Sequence, residues 1–330
     1  MKKIFGFSLL FLASVLMIVG CTITTNTTST TYNPPSGVTS VEAGVSGATN
    51  SGNAISFDYS LINSANNVPI ATLGDLGTGN LKITIRITSE TTVHTGTVST
   101  VTKVTGSSAQ PITLAMTLDR SGSMSYDTNL SLEAAASAFV DLMGANDQGA
   151  IINFDERVVL DQALTSNKNL LKVAITQESV SGGMTALYDS IGAAVLTAEG
   201  GANTRKAVIA MTDGGENSSS THTSTAELIA YANGKSVPVY TVGLGLSTGS
   251  YAEQVMQVIA SGTGGVYYYA PGATDLTALY DKISSALRNY FTVSVTSPVT
   301  LVVGTQYTVT VELQSYGSIT KVITFNFTAQ

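Results

Sequence analysis

Two patterns of hydrophobic positions divide the chain. Apolar and polar residues alternate at 55–61 and 81–87 near the beginning, and again at 291–295, 307–313 and 323–327 near the end. A period of two is typical of strands that bury one face. Each block is short for an independent core, so we predict that both blocks together form one discontinuous β-sandwich of six or seven strands.

Between these blocks, strand-like and helix-like segments alternate. Continuous apolar runs at 112–118 and 207–211 are typical of buried parallel strands, whereas 130–143 and 275–290 have helical spacing. We therefore predict an α/β domain with a doubly wound, mostly parallel sheet, inserted into the smaller sandwich. Insertion is physically easy when the two ends of the guest domain lie close together.

The predicted organisation has five parts. They are a signal peptide at 1–20, a lipidated cysteine with a flexible linker at 21–53, the first part of the sandwich at 54–108, the α/β domain at 109–290 and the second part of the sandwich at 291–330. The linker prediction rests on composition, because this segment is rich in Thr, Ser, Asn and Gly and contains a single charged residue, Glu42.

The first twenty residues have the pattern of an export signal. Two lysines precede an uncharged, mostly apolar run at 5–20, which is short for a membrane-spanning helix. The run ends in Ile-Val-Gly before Cys21, which resembles the bacterial lipobox. This resemblance implies cleavage before Cys21 and a lipid anchor on it, the alternative being an ordinary signal peptide with an incidental cysteine. We expect a bacterial cell-envelope location, with the outer membrane or cell surface favoured because Thr22, and not Asp, follows the cysteine.

The composition argues against several kinds of partner and site. The chain has 15 Lys and Arg against 22 Asp and Glu, which argues against nucleic acid as a partner. With only His94, His222 and Cys21, it can form neither a Cys/His zinc site nor an internal disulfide. A serine hydrolase needs a histidine beside its nucleophile, and neither histidine lies in such a motif, so we expect no enzymatic activity. His222 is interpreted as a solvated loop residue in preference to a member of a metal rim.

Oxygen-bearing side chains gather where strands of the α/β domain are predicted to end. Asp119, Ser121 and Ser123 follow the first apolar strand as Asp-x-Ser-x-Ser, and Asp213 follows a later strand. In parallel sheets ligands bind at the carboxyl ends of the strands. Carboxylate and hydroxyl oxygens suit Mg²⁺, Mn²⁺ or Ca²⁺ and disfavour Zn²⁺. The alternative for Asp119 and Ser121 is helix N-capping.

The middle of the chain resembles the von Willebrand factor A (VWA) domain with its metal-ion-dependent adhesion site. Asp119, Ser121 and Ser123 match the first motif of that site, Thr185 the second and Asp213 the third. The resemblance implies that these five side chains bind one divalent cation, with Mg²⁺ expected and Mn²⁺ or Ca²⁺ as alternatives. It also implies that an Asp or Glu of a protein or extracellular-matrix partner completes the metal shell.

One position departs from the family pattern. Met184 stands between Gly183 and Thr185, so Thr185 is assigned from the Ala-Leu-Tyr-Asp sequence that follows it. We interpret the chain as a cell-envelope lipoprotein that binds its partner through the cation. A structural subunit in which the metal only stabilises remains an alternative, and a hydrolase is a weaker one. By analogy with related domains, the last helix of the α/β domain could slide on ligand binding and pull on the sandwich.

Overall fold

Strands from the beginning and the end of the chain form one antiparallel sheet, which we call the β-domain. The computed structural model describes residues 29–177 and 179–330, so the predicted signal peptide and Cys21 lie outside the described residues. The first elements are β1 (Val41–Ser51), β2 (Ala54–Asn63), the one-turn helix α1 (Ile70–Leu73), β3 (Leu81–Ile87) and β4 (His94–Val104). The inserted α/β domain contains β5 (Ile112–Asp119), α2 (Tyr126–Leu142), β6 (Gln148–Phe154), β7 (Val158–Thr165), α3 (Lys168–Ile175), α4 (Leu187–Glu199), β8 (Arg205–Thr212), α5 (Thr225–Gly234), β9 (Val239–Leu244), α6 (Tyr251–Thr263), β10 (Tyr267–Ala270) and α7 (Leu276–Arg288). The β-domain is completed by β11 (Tyr290–Thr296), β12 (Gln306–Tyr316) and β13 (Ile319–Thr328).

The β-domain sheet folds over its own core. Its strand order is β1-β2-β11-β4-β3-β12-β13, and β4 pairs with β3 through its first three residues and with β11 through the rest. The sheet therefore turns at Gly96, where any side chain would collide with Val295 and Ile85. The two halves meet in the interior, where the rings of Phe57 and Phe325 are 5.0 Å apart. The predicted sandwich is thus one continuous hydrogen-bonded sheet, because its two layers share β4.

The linker predicted for 21–53 is wrong over its second half. Strand β1 lies within it and pairs along its length with β2. Val41, Ala43 and Val45 alternate along β1 and are buried in the core of the β-domain. Thr- and Ser-rich composition did not exclude a strand here, because these residues are compatible with the solvent-facing positions of a sheet. The β-domain therefore begins before the predicted boundary at residue 54.

The segment before β1 is also attached to the β-domain. The buried amide of Asn80 accepts hydrogen bonds from the backbone N–H groups of Tyr32 (2.8 Å) and Gly77 (3.0 Å). The same amide donates to the carbonyls of Tyr32 (3.0 Å) and Ser315 (2.8 Å). Gly79 N–H donates to the Thr30 carbonyl at 2.8 Å. The chain is therefore bonded to the β-domain from Thr30 onward.

The α/β domain has the predicted doubly wound sheet. The strand order is β10-β9-β8-β5-β6-β7, and all neighbours are parallel except the edge strand β7. Every residue of β5 is buried, with Leu114 and Met116 facing α2, α3 and α7, and Ala115 facing α4, α5 and α6. Helices thus cover both faces, which explains the uninterrupted apolar run of this strand. Within the described part of the chain, no helix is long and apolar enough to cross a membrane.

The α/β domain enters and leaves the β-domain at adjacent points. Val104 at the end of β4 lies opposite Tyr290 at the start of β11. Next to this junction, the buried guanidinium of Arg205 forms an ion pair with Asp58 of β2 (2.7 Å) and donates to the carbonyl of Leu287 in α7 (2.8 Å). Arg205 also lies 4.1 Å from the ring centre of Tyr290. The junction therefore holds α7 and the β-domain together at the amino end of β8.

Candidate metal centre

The two predicted acidic ligands lie at the carboxyl ends of neighbouring parallel strands. Asp119 is the last residue of β5, and Asp213 directly follows β8. The chain leaves β5 toward β6 on one side and returns on the other side as β8. This reversal of strand order opens a crevice at the carboxyl ends, the usual place for ligands in such sheets.

Asp119 is fully buried and held on both carboxylate oxygens. Oδ1 accepts a hydrogen bond from the backbone N–H of Ser121 at 2.7 Å. Oδ2 accepts one from the hydroxyl of Thr212, the last residue of β8, at 2.5 Å. The carboxylate is therefore fixed between the two strands before any ligand is added.

Two serines extend this arrangement to the second acid. The hydroxyls of Ser121 and Ser123 are 3.2 Å apart, and Ser123 donates to Asp213 Oδ1 at 2.6 Å. Four of the five predicted ligands are thus joined through short contacts. The compact turn that brings the serines together is bonded to the neighbouring loop, since Gly122 N–H donates to the Gly183 carbonyl at 3.1 Å.

Thr185 belongs to that neighbouring loop. Its N–H donates to Asn217 Oδ1 (2.7 Å), and its carbonyl accepts from Asn217 N–H (3.1 Å). Asn217 follows Asp213 by four residues, so Thr185 is held between the two acid-bearing loops. Its hydroxyl makes no hydrogen bond with the described residues and is available to a ligand. Met184 donates its N–H to Glu156 Oε2 at 2.9 Å and leaves its side chain exposed.

The electrostatics of the two acids favour a cation. Burial raises the pKa of Asp119 to about 6, and the charge of Asp213 adds to this effect although hydrogen bonds from Thr212 and Ser121 oppose it. Burial also raises the pKa of Asp213. Among the described residues, neither acid forms an ion pair with a Lys, Arg or His side chain. A divalent cation would supply the missing positive charge.

The donor set also indicates which ions fit. No group of three or more His, Cys, Asp or Glu that could hold a metal occurs in residues 29–177 or 179–330. The candidate donors are instead two carboxylates and three hydroxyls, from Asp119, Ser121, Ser123, Thr185 and Asp213. These are hard oxygen ligands, which fit Mg²⁺, Mn²⁺ or Ca²⁺.

A buried arginine beneath the centre escaped the sequence analysis. Arg120 occupies the variable position of Asp-x-Ser-x-Ser and is almost fully buried. Its guanidinium donates to Asn153 Oδ1 (3.0 Å), Glu133 Oε1 (2.8 Å) and the Ile175 carbonyl (2.5 Å). It therefore ties the ligand loop to β6, α2 and α3. The only signal in the sequence was a charged residue directly after an apolar strand.

Two acids that fix the loop after Asp213 were also missed. Asp189 accepts from the backbone N–H groups of Ser220 (2.8 Å), Thr221 (3.0 Å) and His222 (2.8 Å). Burial alone would raise the pKa of Asp189, but these hydrogen bonds outweigh it and lower the pKa. Glu216 accepts from Tyr188 N–H at 2.8 Å. The Ser- and Thr-rich loop is therefore anchored to the start of α4.

His222 is packed against two helices and is not a solvated loop residue. Its ring lies 4.7 Å from that of Tyr231 in α5. It also contacts Gly192 in α4, where any side chain would collide with the imidazole. His222 thus packs between two helices, and His94 lies in β4 of the β-domain.

The family assignment agrees with this geometry. The family model for the von Willebrand factor type A domain matches residues 114–282, so the chain belongs to that family. VWA domains commonly mediate protein binding, and those with a metal-ion-dependent adhesion site bind divalent cations.

Comparison with individual proteins gives more distant likenesses. Uncharacterized protein sll0103 of Synechocystis sp. (strain ATCC 27184 / PCC 6803 / Kazusa) is 24% identical over 181 residues, which cover 54% of this chain and 42% of that protein. The chain thus spans less than half the length of this curated relative.

Solved structures with similar folds come from several sources. The vWF domain of the type V pili tip protein Mfa5 from Porphyromonas gingivalis has a TM-score of 0.44 at 13% identity, covering 53% of this chain and 94% of that one. A von Willebrand factor type A protein from Catenulispora acidiphila has a TM-score of 0.45 at 11% identity, and the match covers 92% of this chain and 76% of that one. Proximal thread matrix protein 1 from the mussel byssus, with a zinc-occupied MIDAS motif, has a TM-score of 0.49 at 21% identity. The match covers 58% of this chain and 49% of that one.

Proposed function

We propose that this protein binds a divalent cation through Asp119, Ser121, Ser123, Thr185 and Asp213 and recognises a protein partner through that cation. An Asp or Glu side chain of the partner, which is a protein or an extracellular-matrix ligand, completes the metal shell. Mg²⁺ is the expected ion, with Mn²⁺ and Ca²⁺ as alternatives. Membership of the VWA family supports this proposal.

The pair of acids without a cationic partner is the observation that carries this proposal. Asp119 is buried and accepts from the backbone N–H of Ser121, whose hydroxyl is linked to Asp213 through that of Ser123. Leaving desolvated carboxylates unpaired is costly to folding, so such an arrangement is expected where a ligand supplies the charge. Two protein carboxylates balance the charge of a divalent cation and the three hydroxyls add none, so the ion would stay electrophilic and could accept a partner carboxylate at an open coordination position.

The β-domain is suited to hold this centre away from a membrane anchor at Cys21. Eight residues, 22–29, separate Cys21 from Thr30, which already bonds to the β-domain, and they reach at most roughly 30 Å. The β-domain contacts the α/β domain at the amino end of β8, through Arg205, whereas the metal centre lies at the carboxyl end. We therefore propose a lipid-anchored protein of the bacterial cell envelope, at the outer membrane or surface, with its metal centre facing outward.

We propose no catalytic role for the site. His222 packs against Gly192 and Tyr231, and His94 lies in the β-domain, so the hydroxyls of the centre have neither histidine as a general base. Turnover of a broad ester and peptide panel, lost in Ser121→Ala, would revive the hydrolase alternative.

Calorimetric titration with Mn²⁺ and Mg²⁺ tests the metal centre directly. We expect wild type and the control Asp127→Ala, an exposed acid at the start of α2, to bind the ions, whereas Asp119→Ala should not. Capture of partners from envelope extracts is then compared in Mg²⁺, in EDTA and with Asp119→Ala. Partner binding that survives both changes would reject recognition through the metal and favour the structural-subunit alternative.

A further inference from the structure

Three large apolar side chains stand exposed around the metal centre. Tyr126 is 72% exposed, Tyr251 is 76% exposed and Met184 is 54% exposed. The two tyrosines are the most exposed aromatic side chains among the described residues. We call these three residues the apolar rim.

The rim residues adjoin three different loops of the candidate metal centre. Tyr126 follows Ser123 by three residues, and Met184 directly precedes Thr185. Tyr251 is placed by its neighbour Ala252, whose Cβ is 3.7 Å from the position that a Cβ on Gly215 would occupy. Because Gly215 lies two residues beyond Asp213, Tyr251 directly precedes a residue that lies against the Asp213 loop, and the other two rim residues are close in sequence to Ser123 and Thr185.

The helix geometry directs both tyrosines toward the ligand side. Each occupies the first position of a helix, after a serine N-cap: Ser125 accepts from Thr128 N–H, and Ser250 accepts from Glu253 N–H, both at 3.2 Å. Side chains on a helix lean toward its amino terminus, so at the first position they extend past the helix end. Both helices begin at the carboxyl edge of the sheet, where the metal centre lies.

The surrounding loops present little else of comparable size. Residues 214–224 and 245–250 are mostly Gly, Ser and Thr. Of two nearby acids, Glu156 accepts the N–H of Met184, and Asp127 lies in the first turn of α2, where a negative charge is favourable. Tyrosine and methionine are enriched in protein interfaces, where buried aromatic anchors carry much of the binding energy. The rim therefore provides apolar contact area on several sides of one point of charge recognition.

We propose that the apolar rim selects partner loops in which the metal-binding Asp or Glu is flanked by apolar side chains. This proposal rests on the proposed function, because it assumes a carboxylate on the bound cation. A carboxylate that reaches the centre brings the residues before and after it over Tyr126, Met184 and Tyr251. Apolar flanking residues bury the rim, whereas serine flanks leave it in contact with water and lysine flanks cover it only with their stems, because their charged heads stay in water.

A display library of disulfide-closed loops with a central Asp, Glu, Asn or Gln and randomised flanks tests this selection. The full chain is immobilised in Mg²⁺ as wild type, as Tyr126→Ala/Tyr251→Ala and as Val303→Ala. Val303 is a matched control, because it is 73% exposed but lies between β11 and β12 of the β-domain. We expect wild type and Val303→Ala to enrich acids with apolar flanks. The double variant should bind the recovered loops about 10- to 100-fold more weakly.

Further measurements separate contact from folding. Tyr126→Phe/Tyr251→Phe keeps the rings and should retain the affinity of wild type within about threefold, and Mn²⁺ titration of the double alanine variant should be unchanged. Enrichment of acids with serine or lysine flanks, or equal loop affinity in the double alanine variant, would overturn the selection by the rim and leave metal recognition intact. Loops that need no central acid, or that bind equally in EDTA, would overturn the proposed function and the rim with it.

Discussion

A buried carboxylate lies near each end of strand β8, Asp58 at the amino end and Asp119 at the carboxyl end, and its charge is compensated only at the amino end. At its first residue, Arg205 pairs with Asp58 at 2.7 Å and bonds to carbonyls of the chain. Just past its last residue, Asp213 lies next to Asp119 in a chain of hydroxyls, with no ion pair to either acid among the described residues. The two ends are about 26 Å apart, at 3.3 Å per residue along eight residues.

This difference separates a structural use of buried charge from a binding use. Both sites remove carboxylates from water, which disfavours their charged forms, and burial raises the pKa of Asp58 as well as that of Asp119. At the junction the chain supplies its own cation, and the site is complete on folding. At the candidate metal centre the chain supplies only anions and hydroxyls, so a bound cation, as proposed, would complete the site. Variants at each end should therefore fail in different ways.

The largest expected effect is at the amino end of β8, where Arg205 pairs with Asp58. Arg205→Met should lower the free energy of unfolding by about 3–5 kcal/mol, because it leaves Asp58 buried without its cation. Urea unfolding at pH 7 measures the loss. The double variant Arg205→Met/Asp58→Asn should recover part of it. Any Arg205→Met protein that remains folded should bind Mg²⁺ as wild type does, and a loss below about 1 kcal/mol would contradict the structural role of the pair.

At the candidate metal centre, replacing the buried acid Asp119 by its amide should stabilise the metal-free protein. Asp119→Asn removes a buried charge whose pKa is about 6, against about 3.9 in an unfolded chain, so in EDTA at pH 7 it should add about 1–2 kcal/mol to the free energy of unfolding. It should also weaken Mg²⁺ binding at least about 100-fold, since a charged ligand is lost. Urea unfolding in EDTA and calorimetry measure the two effects. Destabilisation in EDTA would show that the acid serves the fold.

The same comparison shows what could be predicted from the sequence. Strands β5 and β8 are continuous apolar runs that end in Asp119 and Thr212-Asp213, so both the sheet and the place of the acids followed from local pattern. Parallel strands bring their carboxyl ends together, and that rule needs no knowledge of side-chain contacts. The α/β fold and the candidate ligands were therefore accessible before the structure.

The contacts that complete each site were not accessible, because their partners lie far apart along the chain. Arg120 reaches Asn153 across 33 residues, and Asn80 reaches Ser315 across 235. Strand β1 was missed for a related reason, since its polar residues resemble a linker until its pairing with β2 is known. His222 was judged by its loop composition, whereas packing against Gly192 decides its place.

A third prediction concerns the buried ion pair between Arg120 and Glu133, which lies beneath the candidate metal centre. Arg120→Leu removes the buried guanidinium that ties the Asp-x-Ser-x-Ser loop to Asn153 and Glu133. Because such outer contacts orient ligands, Mg²⁺ affinity should fall about 10-fold even in protein that stays folded. The double variant Arg120→Leu/Glu133→Leu should regain stability without regaining affinity. Calorimetry on folded samples measures this, and unchanged affinity in Arg120→Leu would mean that the loop holds its shape alone.

The smallest effect is a pH dependence that only the incomplete end should show. Burial raises the pKa of Asp119 to about 6, and metal binding requires its charged form, so Mg²⁺ affinity should rise up to about tenfold per pH unit below pH 6 and level off above it. In EDTA the pH dependence concerns stability, and it has the opposite direction. Between about pH 4 and 6 the folded state keeps a proton that the unfolded chain loses, so the stability contributed by Asp119 falls as the pH rises.

Calorimetry from pH 5 to 8 and urea unfolding in EDTA measure these two trends. Asp119→Asn should remove the fall in stability near pH 6, because the amide does not titrate. Asp127→Ala should keep both trends, since that acid is exposed and forms no ion pair with any described residue. Mg²⁺ affinity that stays flat between pH 5 and 7 would mean that Asp119 is already ionised there. The metal centre would then be electrostatically complete without an ion, and the contrast between the two ends of β8 would not hold.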